Sequence, residues 1–276
     1  MTFTRETKSK LVWSGVGTIF TVVLLIPVYL IITYSFETLH DMYHMPPYLF
    51  PPEITFEPIV QVFTDLRPYL MNSFINALGC LLITLLTAPF AAYALAIFEL
   101  RYEKHIIFTL TLSQMFPVVM LAIPIFLMYS NVNFSNTYLG LILANATYTI
   151  PFCTIVLTSY MRSVPFELIE AAYIDGASPL VTFFRVVAPV AKSGIATISI
   201  FGFLFPWADF IYALVITTQN SIQPMSVGLY KYIERYGLQW NNLMAGGLIF
   251  SIPALLVVIL TGRFIIGGLT AGAVKQ

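Results

Sequence analysis

Six stretches of this chain are each long and apolar enough to cross a lipid bilayer, and no other feature constrains the fold as strongly. A helix crossing the hydrocarbon core needs roughly 20 mostly apolar residues. Such runs fall near 11–36, 71–98, 106–129, 139–161, 194–217 and 243–266. None alternates with period two, which argues against a membrane β-barrel. The expected fold class is therefore an all-α integral membrane protein with six transmembrane helices. Composition agrees: 58% of the 276 residues are hydrophobic and 9% are charged, against about a quarter charged in soluble domains. Mean hydropathy is +0.85. Thirteen basic and thirteen acidic side chains cancel, leaving no basic face for nucleic acid. A soluble enzyme is excluded.

Lysines and arginines set the orientation, because cytoplasmic loops are enriched in them. Ten lie in one alternate set of segments: Arg5, Lys8 and Lys10; Arg101 and Lys104; Arg162, Arg185 and Lys192; Arg263 and Lys275. The opposite set holds Arg67, Lys231 and Arg235. Both termini are thus expected in the cytoplasm, with a cytoplasmic N-terminus (1–10) followed by one six-span domain (11–276). The first run is too long for a signal peptide and lacks a small-residue cleavage site, so it reads as a retained span. The external segment 37–70 carries Pro46, Pro47, Pro51, Pro52 and Pro58, which favour extended and turn geometry.

Several features have bland readings. Cys80 and Cys153 sit inside apolar runs and read as buried, inert thiols. Ala88, Ala92 and Ala96 recur every four residues, a spacing that lets membrane helices approach closely. His40 and His44 have an i, i+4 spacing, but in a proline-punctuated loop without an H-E-x-x-H pattern they read as solvated, and no metal site is expected. The stretch 131–136, NVNFSN, reads as a short external turn.

The segment 163–189, SVPFELIEAAYIDGASPLVTFFRVVAP, is richer. Ser163 is placed to cap a helix that Pro165 begins. At about 100° per residue, Phe166, Leu168, Ile169, Ala172 and Tyr173 share one arc, and Glu167, Glu170, Ala171 and Ile174 the other. Asp175-Gly176 stops that helix, and Ser178-Pro179 starts a second that runs out at Pro189. The expectation is a helix–turn–helix lying against the cytoplasmic ends of the spans, with its apolar arc inward.

Glu170-Ala171-Ala172, Gly176 with three residues between, and the ending from Val186 to Pro189 after nine more resemble the EAA loop of ABC importer permeases. The longer EAAYIDGAS, with Phe184 and Pro189, looks like the carbohydrate-uptake, maltose-permease-like branch. FPPEITFE (50–57), NSFINAL (72–78), AAYALA (91–96) and GLTAGAVK (268–275) extend the likeness over nearly the whole chain. Ala188 departs from the family's usual leucine.

The resemblance implies a type I importer architecture. Its partners would be a second permease subunit, a homodimeric ABC ATPase and an extracytoplasmic substrate-binding protein, in the inner membrane of a prokaryote. The 163–189 loop would be the coupling helix docking on the ATPase. Glu167 and Glu170 would make polar contacts, Ala171 and Ala172 would allow close approach, and Asp175 with Gly176 would set the turn. Gly272, Ala273 and Lys275 would reach the ATPase pair from the C-terminal tail. No G-x-x-x-x-G-K-[ST] segment occurs, so ATP and Mg would be bound by the partner ATPase, with no cofactor or catalytic residue in this chain.

Asp209 is the one acidic residue falling clearly inside a span, a costly placement. The stretch 206–210, PWADF, resembles a Trp-Asn-Glu/Asp-aromatic stretch of sugar permeases, with Ala208 in place of the polar residue. On a functional reading Asp209 and Trp207 border the translocation path, with Asn145, Tyr148 and Gln114 as weaker candidates. On the structural reading, slightly favoured, Asp209 satisfies a backbone or a partner and Trp207 anchors at the membrane interface. The spans contain almost no basic residue, which favours a neutral sugar over a phosphorylated polyol. An intramembrane enzyme would need converging titratable groups. An autonomous channel or secondary carrier would predict inverted repeats and leave the EAA loop without a role.

Overall fold

The apolar runs form helices throughout, in a computed structural model that describes residues 5–236 and 238–273. In chain order they are α1 (Arg5–Tyr34), α2 (Leu39–Met42), α3 (Glu57–Ile97), α4 (Glu103–Met115), α5 (Val118–Asn131), α6 (Tyr138–Arg162), α7 (Phe166–Ile174) and α8 (Pro179–Thr182). A π-helical turn (Phe183–Val187) leads into α9 (Ala188–Val190), then α10 (Lys192–Ala208), α11 (Ile211–Ile216), α12 (Met225–Tyr236) and α13 (Trp240–Ala273). No strand occurs among the described residues.

Four stretches meet the length and hydropathy of a membrane span as single helices: Trp13–Tyr34, Glu57–Ile97, Tyr138–Arg162 and Trp240–Gly262. The expected third span is bent, and the expected fifth (194–217) is broken between Ala208 and Ile211, its first helix also meeting the loop segment before it at a sharp angle. Glu103–Met115 and Val118–Asn131 meet at 98°, and Pro179–Val190 and Lys192–Ala208 at 84°. The first break falls at Pro117, whose missing N–H and fixed φ end α4. Counting each bent pair once gives six.

The second span starts earlier than its hydropathy suggests. Pro58 was expected to favour loop geometry, yet it lies in the first turn of α3, where no intrahelical N–H is needed. The irregular segment therefore shortens to the residues between Tyr34 and Glu57, interrupted by α2. There His40 lies in α2, and His44 stacks on Tyr48 with centroids 4.4 Å apart.

The chain groups into two compact units. In the first (1–67 and 231–251), α1 is apolar and exposed from Trp13 to Tyr29, a helix made to be covered by lipid or another chain. Phe36 and Phe56 meet edge to face at 5.3 Å, and the Thr55 N–H donates to the Phe36 carbonyl at 2.9 Å. Asn242 donates to Gln239 Oε1 at 2.6 Å and to the Tyr232 hydroxyl at 3.2 Å.

In the second unit (68–230 and 252–276), α6 packs against α10. The approach is so close that a Cβ on Gly194 would sit 2.6 Å from the Tyr160 ring, a place where glycine is required. Ala88 and Ala92 are fully buried against Cys153, Leu157, Met161 and Ile198, so the alanine spacing is internal packing, as expected. At one end of this unit Arg162 and Glu103 form an ion pair, bringing together two segments that the charge pattern assigns to one side. At another end Asn136, at φ 58°, accepts from the N–H groups of Thr218 and Gln219 at 2.7 and 3.1 Å. The NVNFSN turn thus pins the 217–223 segment.

Candidate functional site

The loop after α6 forms two short helices joined by a glycine turn, though its first cap differs from expectation. The Ser163 hydroxyl donates back to the Tyr160 carbonyl at 2.7 Å, terminating α6 rather than starting α7. The unpaired carbonyls of the last turn of α6 lie within reach of its short side chain and claim it. Pro165 instead occupies the N-cap of α7. At the other end the Ala177 N–H donates to the Ala172 carbonyl at 2.9 Å and the Gly176 N–H to that of Tyr173 at 3.0 Å. Gly176 stands at φ +80°. This pair of bonds around a left-handed glycine is a Schellman stop. Ser178 then caps α8, accepting from the Val181 N–H at 3.4 Å.

The expected inward apolar arc is corrected. Ile169 is fully buried and Ala172 half-buried, but Phe166 is 60% exposed, Leu168 46% and, on the other arc, Ile174 79%. A nine-residue helix lying on a bundle end touches it along a narrow line, so only the residues pointing straight down reach the core. Glu167, Glu170, Ala171, Asp175 and Gly176 are all exposed. The outward face is therefore both acidic and greasy. Beside it lies a depression of about 540 Å³ lined by Ala172, Asp175, Ser178, Val181, Thr182 and Arg185 among others. Such a surface suits a protein partner that brings its own apolar and polar groups.

What ties this surface to the spans had no prominent signal in the sequence. Ile169 packs into a cluster with Ala88, Ala92, Met161, Val164 and Phe183. The Tyr93 hydroxyl of α3 donates to the Pro179 carbonyl at 3.2 Å and lies 3.3 Å from the Tyr173 hydroxyl. One side chain thus latches both helices of the loop to a span. Tyr93 is the aromatic residue of AAYALA, a stretch whose value in the sequence was only as a likeness. Phe183 packs its ring 5.3 Å from Tyr93 and begins the π-helical turn, a geometry frequent at functional sites.

The second candidate region is a cavity of about 350 Å³ among α5, α6, α10 and α11, whose walls include Asn145, Tyr148, Phe205, Asp209 and Phe210. That size lies in the range of small-ligand pockets. None of its lining residues is basic. Gln114 adjoins it, donating to the Tyr148 carbonyl at 3.2 Å. Trp207 does not line it: the indole is 2% exposed, stacked on Phe203 at 5.3 Å and edge-on to Phe74 at 4.9 Å. Asp209 does double work. Its carboxylate accepts from the N–H groups of Tyr212 and Ala213 at 3.1 and 3.0 Å and from Asn145 Nδ2 at 3.4 Å. Ser226 donates to its carbonyl at 2.6 Å. The α10 helix ends at Ala208, and Asp209 caps the first turn of α11 where a carboxylate meets unpaired N–H groups.

Gly272 and Ala273 fall in the last turn of α13, and Lys275 lies outside the described residues.

Residues 76–269 match the family described as the binding-protein-dependent transport system inner membrane component. The chain belongs to that family. It is 31% identical over 253 residues to the sulfoquinovosyl glycerol transport system permease protein SmoH of Agrobacterium fabrum, covering 91% of this chain and 89% of that protein. It is 31% identical over 233 residues to the trehalose transport system permease protein SugB of Mycobacterium tuberculosis, covering 82% and 84%. The fold is similar to a chain of a bacterial ABC transporter involved in the import of the acidic polysaccharide alginate, with TM-score 0.79 at 22% identity over 95% of this chain and 99% of that one. The expected importer-permease architecture is thereby met at the level of the fold, and the chain is a multi-pass membrane protein of ABC transport.

Proposed function

We propose that this permease carries a saccharide inward by alternating access, with one ATPase subunit docked on the surface formed by α7 and α8. The observation that carries this reading is the presentation of Glu167, Glu170 and Ala171 to solvent on a helix whose buried anchor, Ile169, and tyrosine latch tie it to the spans. Closure of the ATPase pair on ATP and Mg would push α7, and Ile169 and Tyr93 would pass the displacement to α3 and α6. The cavity around Asn145, Tyr148 and Asp209 would lie on the path, its aromatic walls and amide matching sugar hydroxyls and ring faces. Saccharides named for the relatives, sulfoquinovosyl glycerol and trehalose, support that substrate class. The remaining partners would be a second permease and an extracytoplasmic binding protein. The end bearing Glu103 and Arg162 would face the cytoplasm, together with both termini.

Glu170→Lys tests the coupling assignment. Inserted to normal levels, it should abolish ATP-dependent uptake in reconstituted vesicles while leaving the complex's ligand-independent properties intact. Unchanged uptake at equal expression would remove the docking role from α7.

A further inference from the structure

Within the first unit the start of α2, the start of α3 and the start of α13 line a small polar cavity of about 180 Å³. Thr38, Glu57, Gln61, Gln239, Asn241 and Asn242 are among its walls, and none of the lining residues is basic or aromatic. The hydrogen-bonding balance is one-sided. The Asn242 amide group donates to Gln61 Oε1 and Gln239 Oε1 at 3.3 and 2.6 Å, and that of Asn241 to the Glu37 carbonyl at 3.4 Å. Asn241 is 8% exposed, and its Oδ1 is buried without a partner, as is Oε1 of Glu37, the residue whose carbonyl Asn241 meets. Glu57 stands exposed as the first residue of α3. Two acceptors are therefore left over, and a buried acceptor left unpaired is unfavourable.

The segment that contributes Thr38, Thr55 and Glu57 carries charge of one sign. Residues 35–58 carry Glu37, Asp41, Glu53 and Glu57 and no lysine or arginine. The volume falls below the roughly 300 Å³ at which small-molecule pockets begin, so it fits one side-chain head group and not an oligosaccharide. Leu39 and Pro58 supply an apolar wall for the stem that a long basic side chain carries behind its head.

We propose that this cavity receives one lysine or arginine side chain of the extracytoplasmic binding protein, with Glu57 drawing the cation in and the carboxamides of Asn241 and Gln61 accepting its N–H groups. This rests on the importer reading above, which puts the segment between α1 and α3 on the external side. A carboxylate at the rim of such a contact governs encounter and salt dependence more than the bound state.

The test uses the assembled complex in nanodiscs, with ATPase rate followed against the concentration of its substrate-loaded binding protein. Glu57→Gln is expected to raise the half-saturating concentration about three- to tenfold and to flatten its salt dependence, with the maximal rate unchanged. Glu57→Lys is expected to raise it further, and replacing one basic residue of the binding protein by glutamate should restore coupling to that variant. Because Glu57 is exposed, neither change threatens folding. Half-saturation and salt dependence matching wild type in Glu57→Gln would overturn the proposal. So would free saccharide competing at the cavity without binding protein. A wild-type complex that no loaded binding protein stimulates would remove the importer reading itself, and this inference with it.

Discussion

Shortening Ile169 to alanine isolates the contact on which the surface of α7 depends. Ile169 is fully buried, while Phe166, Leu168 and Ile174 of the same helix are exposed. Its side chain is larger than that of alanine by three carbons, each worth about 0.8 kcal/mol of transfer free energy. The space left among Met161, Val164 and Phe183 adds a cavity cost, placing the total at about 2–5 kcal/mol. A nine-residue helix is too short to persist on its own propensity, so most of this loss should appear as undocking of α7 rather than as global unfolding. A change of about 3 kcal/mol shifts the docked-to-undocked ratio by roughly two orders of magnitude. Hydrogen exchange in detergent reads this directly: amides of 169–177 should lose protection in Ile169→Ala while those of α6 and α10 keep theirs. ATP-dependent uptake should fall with it at equal expression. Ile174→Ala, which removes an exposed side chain of similar size, should leave amide protection within about twofold of wild type. Equal protection of 169–177 in wild type and Ile169→Ala would refute the claim that one buried side chain holds the α7 surface in place.

Three further outcomes are expected. Gly176→Val forces a β-branched residue into φ +80° and should cost roughly 1–2 kcal/mol at the end of α7, read as fraying of 172–177 by exchange and reduced ATPase docking in pull-downs. Asp209→Asn keeps one acceptor for the two N–H groups of α11 and should lower stability by about 1–3 kcal/mol; an unchanged melting temperature with altered uptake would assign Asp209 to the path alone. Glu37 is held above the ordinary carboxylate range, chiefly by burial and then by the neighbouring Asp41 charge. The folded state therefore binds the proton more tightly than the unfolded one, and stability contributed by neutral Glu37 is lost as pH rises through its raised pKa. Glu37→Gln should flatten that part of the melting-temperature profile, and parallel profiles would refute it.

Much of the candidate coupling surface was legible because it is built from local rules. A left-handed glycine after an amphipathic stretch stops a helix, a serine-proline pair starts one, and both operate over a handful of residues regardless of surroundings. The ionic grouping of 99–105 with 162–193 was legible too, since charge placement follows from the membrane, and Glu103 and Arg162 meet as it requires. Failures arose where two local uses competed for one group. Ser163 could cap α7 or close α6, and proximity to the carbonyl of Tyr160 decided. Pro58 could extend the loop or open α3, and its position in the first turn removed the penalty.

Long apolar runs without period-two alternation determined that this chain is helical and lives in lipid, because only helices and closed barrels satisfy backbone hydrogen bonds there. Periodicity could assign a helix an apolar face but not say how much of that face would be covered. Only tertiary packing decided that Ile169 is the anchor while Phe166 and Leu168 face outward, that Tyr93 closes over Tyr173 and Pro179 from some 80 positions away, and that Trp207 belongs to the core rather than to the cavity of Asp209. Burial depends on which distant surfaces come within van der Waals reach, and a one-dimensional pattern carries no information about that distance.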